Sequence, residues 1–193
     1  MAWAFPNHLR DSIFWKSLTP LSRRNWLLIP IAIPLILVLN FVLAPTIPIL
    51  QRIPLFAPAP VAPELFTNAY EEVASSGANV TFMGVPLEPQ NWWLIPYWTI
   101  WGVAALAEEI VWRGYALPRQ ELTHGRWAWM VNGLLWNIPF HAYVAFNLFS
   151  DMPMYLIVPF LAQWRKSTWL SLLIHLLMLS LAYAIIIPGV LGG

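Results

Sequence analysis

The chain has 193 residues, of which 59% are hydrophobic and only 10% charged, with thirteen tryptophans and a formal net charge of +1. A soluble domain carries about 25% charged residues, so this composition excludes a globular domain with its core in water and points to a polytopic membrane protein. The absence of cysteine excludes a disulfide framework, thiolate chemistry and cysteine metal ligation.

Residues 1–25 interleave Arg10, Lys16, Arg23 and Arg24 with Trp3, Phe5, Phe14 and Trp15. Residues 8–18 read as a helix lying on the membrane surface, basic side toward the headgroups, or as a disordered tail. The apolar run that follows starts late and lacks a small-residue cleavage site, so no cleavable signal peptide is expected. Residues 26–44 form a first span, which Pro30 and Pro34 are expected to kink. Residues 45–91 are proline-rich and carry Glu64, Glu71, Glu72 and Glu88, with a short helix over 63–76.

Residues 92–112 form a second span that carries Glu108-Glu109 near its end, with Arg113 immediately after it. Residues 114–126 read as a basic loop and 127–149 as a third span. Residues 152–164 are short for a fourth span, and a start near Asn147 gives a more ordinary length. That choice needs a tight turn around 150–153. Residues 168–188 form a fifth span. The expected fold is all-α, a polytopic membrane helix bundle with about five transmembrane helices. Residues 1–91 are its N-terminal part and 92–193 its core.

Lysine and arginine set the orientation. Five spans put the N-terminus, residues 113–126 and residues 165–166 on one side, with every basic residue except Arg52. The N-terminus is therefore expected in the cytoplasm and the C-terminus on the opposite side. The expected surroundings are membrane lipid, with no nucleic-acid partner.

Polar groups inside the apolar segments mark the chemistry. A carboxylate within a spanning helix costs roughly 2.5–3.5 kcal/mol even on lenient insertion scales, and usually faces a protein interior or a water-filled cavity. Glu109 and Arg113 are four apart and pair on one helix face. Glu108 lies about 100° round the helix and is left over. Asn132, Asn137 and His141 occupy the third span and His175 the fifth. His8 and His124 read as solvated. Tryptophans 92, 93, 98, 101, 112, 127, 129, 164 and 169 read as an interfacial belt.

A lone buried histidine is most often structural, but two histidines and two glutamates on three spans lower their energy by meeting. A carboxylate of Glu108 or Glu109 is expected within about 5 Å of an imidazole of His141 or His175, the range in which charges act on one another. One Glu and two His are also the protein ligands of a common catalytic zinc type, with a fourth position for water. The same groups work without metal, Glu as general base and His stabilising an oxyanion.

The motifs have a familiar order. Glu108-Glu109 with Arg113-Gly114-Tyr115 resembles the first motif of the CAAX protease and bacteriocin-processing (CPBP, or Abi) family of intramembrane proteases. Leu134 to His141 is similar to the second motif, and Ser167-Thr168-Trp169 followed by His175 to the third. The resemblance covers about residues 92–182. It implies a peptidase acting at a membrane-embedded site on a peptide or protein substrate, lipidated or of leader type. On its terms Glu108 activates water, Glu109 pairs with Arg113, His141 helps bind or activate the water, and His175 binds metal or stabilises the oxyanion. Zn2+, where used, falls to Glu108, His141 and His175. Two positions depart from the pattern. Asn137 stands where the family has an aromatic residue, with Trp136 one position earlier. Leu179 replaces the usual Asn or Asp and can neither ligate metal nor donate a hydrogen bond; Ser171, one turn before His175, is the nearest polar substitute. Leu179 favours the alternative of a non-proteolytic membrane scaffold or immunity protein. A proton or ion relay ranks last, because the outer halves of the spans carry no titratable groups to continue it.

The orientation is tested by fusing a reporter after Gly193 and another within residues 60–90. Both are expected to report a non-cytoplasmic location, and a cytoplasmic signal from either breaks the five-span scheme.

Overall fold

A computed structural model describes residues 21–56, 81–82, 85–140 and 147–192. The expected surface helix over 8–18, the short helix over 63–76, His8 and His141 lie outside the described residues. The helices run in order α1 (Arg23–Leu43), α2 (Thr46–Leu50), α3 (Leu94–Glu109), α4 (Leu117–His124), α5 (Ala128–Phe140), α6 (Met152–Arg165), α7 (Thr168–Ser180) and α8 (Tyr183–Leu191). A π-helical segment, Ile110–Ala116, joins α3 to α4 without a break. Among the described residues three stretches are long and apolar enough to cross a membrane: Arg23–Leu43, Pro89–Ile138 and Thr168–Leu191.

The all-α membrane bundle implied by the sequence is the observed architecture, with one small addition. Strand β1 (Thr81–Phe82) pairs antiparallel with β2 (Val85–Pro86). Phe82 anchors this pair, buried with Leu94, Ile186 and Val190 and meeting the Trp98 ring edge-on at 5.0 Å.

The bundle is apolar outside and polar within. On α1, Leu27, Ile31, Leu35, Val38, Phe41 and Val42 are exposed, while Ile29, Ala32 and Ile36 pack on Val158 and Leu161 of α6 and Leu170 and Ile174 of α7. On α3, Ile100, Val103 and Leu106 form an exposed stripe that Ile110 continues, while Ala105 and Glu109 turn inward. Asn25, Arg113, Asn132, Asn137, Ser171 and His175 are also buried. Hydrocarbon offers no hydrogen bonds, so polar groups gain by turning toward protein.

Several boundaries differ from the sequence reading. Residues 114–126 are not a loop: the helix continues through the π segment and α4, and reverses only at Gly125, whose φ is +54°. Pro118 does not break it: it follows directly on the widened π turn, and the helix runs on through it to His124. The third helix is described as far as Phe140, and residues 147–150 are a turn rather than the end of a span reaching Phe149. Helix α6 therefore starts at Met152 rather than near Asn147. At 14 residues it is about 21 Å long at 1.5 Å per residue, short of a hydrocarbon core of about 30 Å. The last stretch reaches Leu191, with a turn at Leu181 and Ala182 between α7 and α8.

Side-chain amides fasten the helix ends. Gln163 of α6 accepts from the Trp129 backbone N–H at 2.7 Å and donates to the Gly125 carbonyl at 2.9 Å, so it caps α5 across the turn. Arg165 Nε donates to Asn25 Oδ1 at 2.7 Å and ties α6 to the start of α1. Ser22 and Ser167 cap α1 and α7, accepting from the Asn25 and Leu170 N–H groups.

Helices α5 and α6 approach closely at Gly133. A Cβ there would lie 2.0 Å from the Tyr155 carbonyl oxygen. Small residues permit such backbone contact in membranes. Gly133→Ala is expected to push the two helices apart at a cost of about 1–3 kcal/mol, the usual penalty of overpacking. Unfolding in detergent measures it, and an unchanged midpoint would show that the contact is dispensable.

Candidate active site

The first two residues of the site come from the end of α3. Consecutive positions on a helix are about 100° apart, so the adjacent carboxylates look in different directions. Glu109 points into the bundle and is fully buried, while Glu108 is only partly buried. Arg113 lies four residues on, in the π segment, and its Nη1 stands 3.3 Å from Glu109 Oε1, both side chains excluded from solvent. From α7, His175 Nδ1 meets the same Oε1 at 3.0 Å. Thr168, Ser171 and His175 share the buried face of α7, and the Ser171 hydroxyl donates to the Thr168 carbonyl at 2.8 Å.

Trp136 of α5 completes the cluster. Its indole Nε1 donates to Glu108 Oε2 at 3.2 Å. The Arg113 guanidinium carbon sits 3.6 Å from the centre of its ring, and the His175 imidazole meets it edge-on at 5.3 Å. On its other flank lies the Tyr155 ring of α6, centroids 4.2 Å apart. One buried side chain thus touches a carboxylate, a cation, an imidazole and a phenol, each from a different element. Arg113 makes no aligned hydrogen bond among the described residues; charge holds it, between the Glu109 carboxylate and the π face of Trp136.

The π segment is pinned by α5. The Leu117 N–H reaches back five residues to the Trp112 carbonyl. Asn132 Nδ2 donates to that same carbonyl at 3.0 Å and to Gln120 Oε1 at 2.8 Å. π turns inside helices recur at functional sites, and this one follows directly on the Glu108-Glu109 pair.

The expected contact between a carboxylate and an imidazole is present, made by Glu109 and His175. Glu108 joins them through Trp136, and Arg113 through both. His141 lies outside the described residues. The asparagines are structural: Asn132 serves the π segment, and Asn137 donates to the Leu148 carbonyl at 3.2 Å and to Met152 sulfur at 3.4 Å. The Leu179 backbone carbonyl accepts from Trp98 Nε1 at 2.8 Å, which ties α7 to α3. His124 is exposed, as expected. Sequence reasoning missed Trp136 and Tyr155. The displaced aromatic in the second motif was the signal for Trp136; Tyr155, among apolar neighbours on α6, gave none.

Among the described residues no group of three His, Cys, Asp or Glu side chains stands together as a metal site. Of the residues expected as zinc ligands, Glu108 and His175 are described, and His175 turns Nδ1 to Glu109, so a metal there would take Nε2. A carboxylate on the far nitrogen is the usual means of orienting such a ligand.

Residues 90–181 match the family model described as Rce1-like, type II CAAX prenyl endopeptidase. No curated protein matches the chain, and no solved structure does.

The Glu109–Arg113 pair gives a sharp stability test. Glu109→Gln leaves the guanidinium buried without its counter-charge, an expected loss of about 3–5 kcal/mol. Adding Arg113→Met to that variant is expected to recover most of it, since apolar replacement of a whole buried pair is often neutral or better. A double variant that loses the sum of what Glu109→Gln and Arg113→Met lose singly, measured by unfolding in detergent, would mean that the charges do not depend on one another.

Proposed function

The stretch 90–181 belongs to the Rce1-like family of type II CAAX prenyl endopeptidases, and on that premise we infer that this chain hydrolyses a peptide bond at a membrane-embedded site. The observation that carries the reading is the Glu109–His175 contact with half-buried Glu108 beside it. That contact divides two adjacent carboxylates between two tasks. Glu109 is committed to Arg113 and His175. Glu108 keeps oxygen surface with which to meet water.

In the proposed reaction Glu108 takes a proton from the attacking water, its carboxylate held in place by the Trp136 indole N–H. Proton transfer by a carboxylate needs that kind of fixed reach. His175 donates Nδ1–H to the Glu109 carboxylate, so Nε2 faces the reacting atoms with a lone pair. As the C–N bond breaks, the proton that Glu108 took from the water passes through Nε2 to the departing amine; were Nε2 to bind metal, Glu108 would deliver that proton directly. Glu109 thus fixes the imidazole tautomer and orientation, as the acidic member of a hydrolytic triad does. A zinc held by Glu108, His141 and His175 would polarise the carbonyl and make a hydroxide available near neutral pH. Arg113 stands behind Glu109 as its counter-charge, 3.3 Å away. The substrate on this reading is a lipidated or leader-type peptide that enters from the membrane. A non-proteolytic scaffold is the second reading, favoured by Leu179, which places an apolar side chain one turn past His175.

Purified protein offered a panel of lipidated and leader-type peptides tests both. Glu108→Ala, His141→Ala and His175→Ala are each expected to remove nearly all activity, because members of a group that acts as a unit are not additive. Trp136→Phe keeps the ring and removes the N–H. A hydrogen bond to a charged group is worth about 1.5–3 kcal/mol, so an approximately tenfold or greater fall in kcat is expected with KM little changed. Leu179→Asn is expected to raise the rate by restoring a donor toward the oxyanion. A wild type that cleaves nothing, with folded variants that all support the same cellular phenotype, would replace the peptidase with the scaffold.

A further inference from the structure

Away from the carboxylates, the α4–α5 turn and the end of α6 enclose an open groove of about 500 Å³. Its wall is aromatic. Trp129 and Phe160 meet edge to face at 5.5 Å, and Phe160 and Trp164 stack at 6.1 Å. Phe160 and Trp164 are exposed on the outside of the bundle, so the wall is continuous with the apolar exterior. Its rim is basic. Arg126 and Lys166 line it, and Arg165 adjoins it with its guanidinium 5.2 Å from the Trp164 ring centre. Three cations there face one carboxylate, Glu121, which bonds Lys166 at 2.6 Å. Arg126 makes no ion pair among the described residues and lies against Trp127 at 5.1 Å.

Lys166 has a further peculiarity. It ends α6 in the left-handed conformation, φ 52° and ψ 42°, and is the one non-glycine residue with positive φ among those described. Glycine or asparagine is usual there. Its ammonium is two-thirds exposed and pairs with the partly buried Glu121, a contact worth about 0–1 kcal/mol that leaves the charge at the rim of the groove.

We propose that this groove binds an anionic phospholipid of the surrounding leaflet. The phosphodiester sits between Arg126 and Lys166, and an acyl chain runs along Trp129, Phe160 and Trp164. Basic pockets at the membrane boundary take anionic headgroups for this reason, and a guanidinium matches phosphate oxygens with two parallel donors. A lipid fits better than a peptide because the aromatic wall opens sideways to the apolar exterior. Trp129 also lies seven residues before Trp136, about 10 Å along α5, so the occupant need not reach Glu108.

The test uses the full chain in detergent, stripped of lipid and titrated with dioleoylphosphatidylglycerol or dioleoylphosphatidylcholine. Native mass spectrometry counts bound lipid, and thermal unfolding reports the fold. Phosphatidylglycerol is expected to bind at least about tenfold more tightly than phosphatidylcholine. Arg126→Gln and Lys166→Gly are each expected to weaken it about fivefold, the effect of one basic charge near a membrane surface. Lys166→Gly is expected to unfold, without lipid, at or above the wild-type midpoint, because glycine suits that conformation. Arg126 is exposed, so its variant provides a reading even where Lys166→Gly is unstable. Equal binding of the two lipids overturns the proposal, as does a folded variant that retains wild-type affinity for phosphatidylglycerol. Displacement of phosphatidylglycerol one for one by a farnesylated C-terminal peptide would also overturn it and assign the groove to a peptide.

Discussion

A guanidinium that cannot lose its proton is buried in the centre of this bundle, and the arrangement around it follows from that constraint. A charge of this kind in low dielectric must be matched where it stands. Glu109, one turn earlier, supplies the counter-charge at 3.3 Å. The same oxygen accepts from His175, which fastens α7 to α3. The face of Trp136 covers the guanidinium and brings in α5, and Tyr155 closes the other side of the indole from α6. Four helices and the π segment meet at one cation. In lipid, where apolar packing supplies no net preference for protein over hydrocarbon, such a centre can specify which helices are neighbours.

Secondary polar contacts hold the frame in which that centre is possible. Asn132 bonds the Trp112 carbonyl within the widened turn, Gln163 caps α5, and Arg165 joins α6 to α1. Each links segments distant in sequence. Individually such bonds are worth about 0.6–2 kcal/mol in membranes, so none rivals the central charges. Their value is geometric: they fix rotation and register. A helix that is apolar all round has no amphipathic stripe to set its rotation.

That absence of a stripe also explains how much the sequence makes legible. The membrane class, the first span and the Glu109–Arg113 pair can be read, because they rest on composition and on a four-residue spacing. The meeting of Glu109 with His175 follows from the cost of unpaired polar groups in lipid. The part of the chain after Arg113 is not legible in this way. Arg119, Gln120 and Glu121 look like a solvated loop, yet they lie on a helix continuous with that of Arg113, and Lys166 answers Glu121. Span length as a guide places the start of α6 too early, because α6 is shorter than a span. The role of Trp136 is hidden by its own residue type. In a chain with thirteen tryptophans the displaced motif aromatic marks Trp136 without saying what it does, and only the contacts separate it, buried on four partners, from exposed Trp127 or Trp164.

On the peptidase reading, the adjacent carboxylates let one helix serve structure and chemistry together. A single residue step turns one side chain fully into the protein and leaves the next at its edge. Glu109 gains by being locked, since its charge stabilises Arg113 and orients His175. Glu108 would lose by it, because a base needs an oxygen that water can reach. The bond from Trp136 positions one oxygen of Glu108 and leaves the other available. The family pattern places an aromatic residue one position later than Trp136. One position is about 100° on a helix, so the usual aromatic would face elsewhere. Here the shift gives the aromatic residue an N–H directed at Glu108 and a face for Arg113. Leu179 removes a polar group one turn beyond His175, and the departure from the pattern on α5 adds one beside Glu108. On the peptidase reading these two departures belong together: the donor has moved from the oxyanion side of the site to the side of the base.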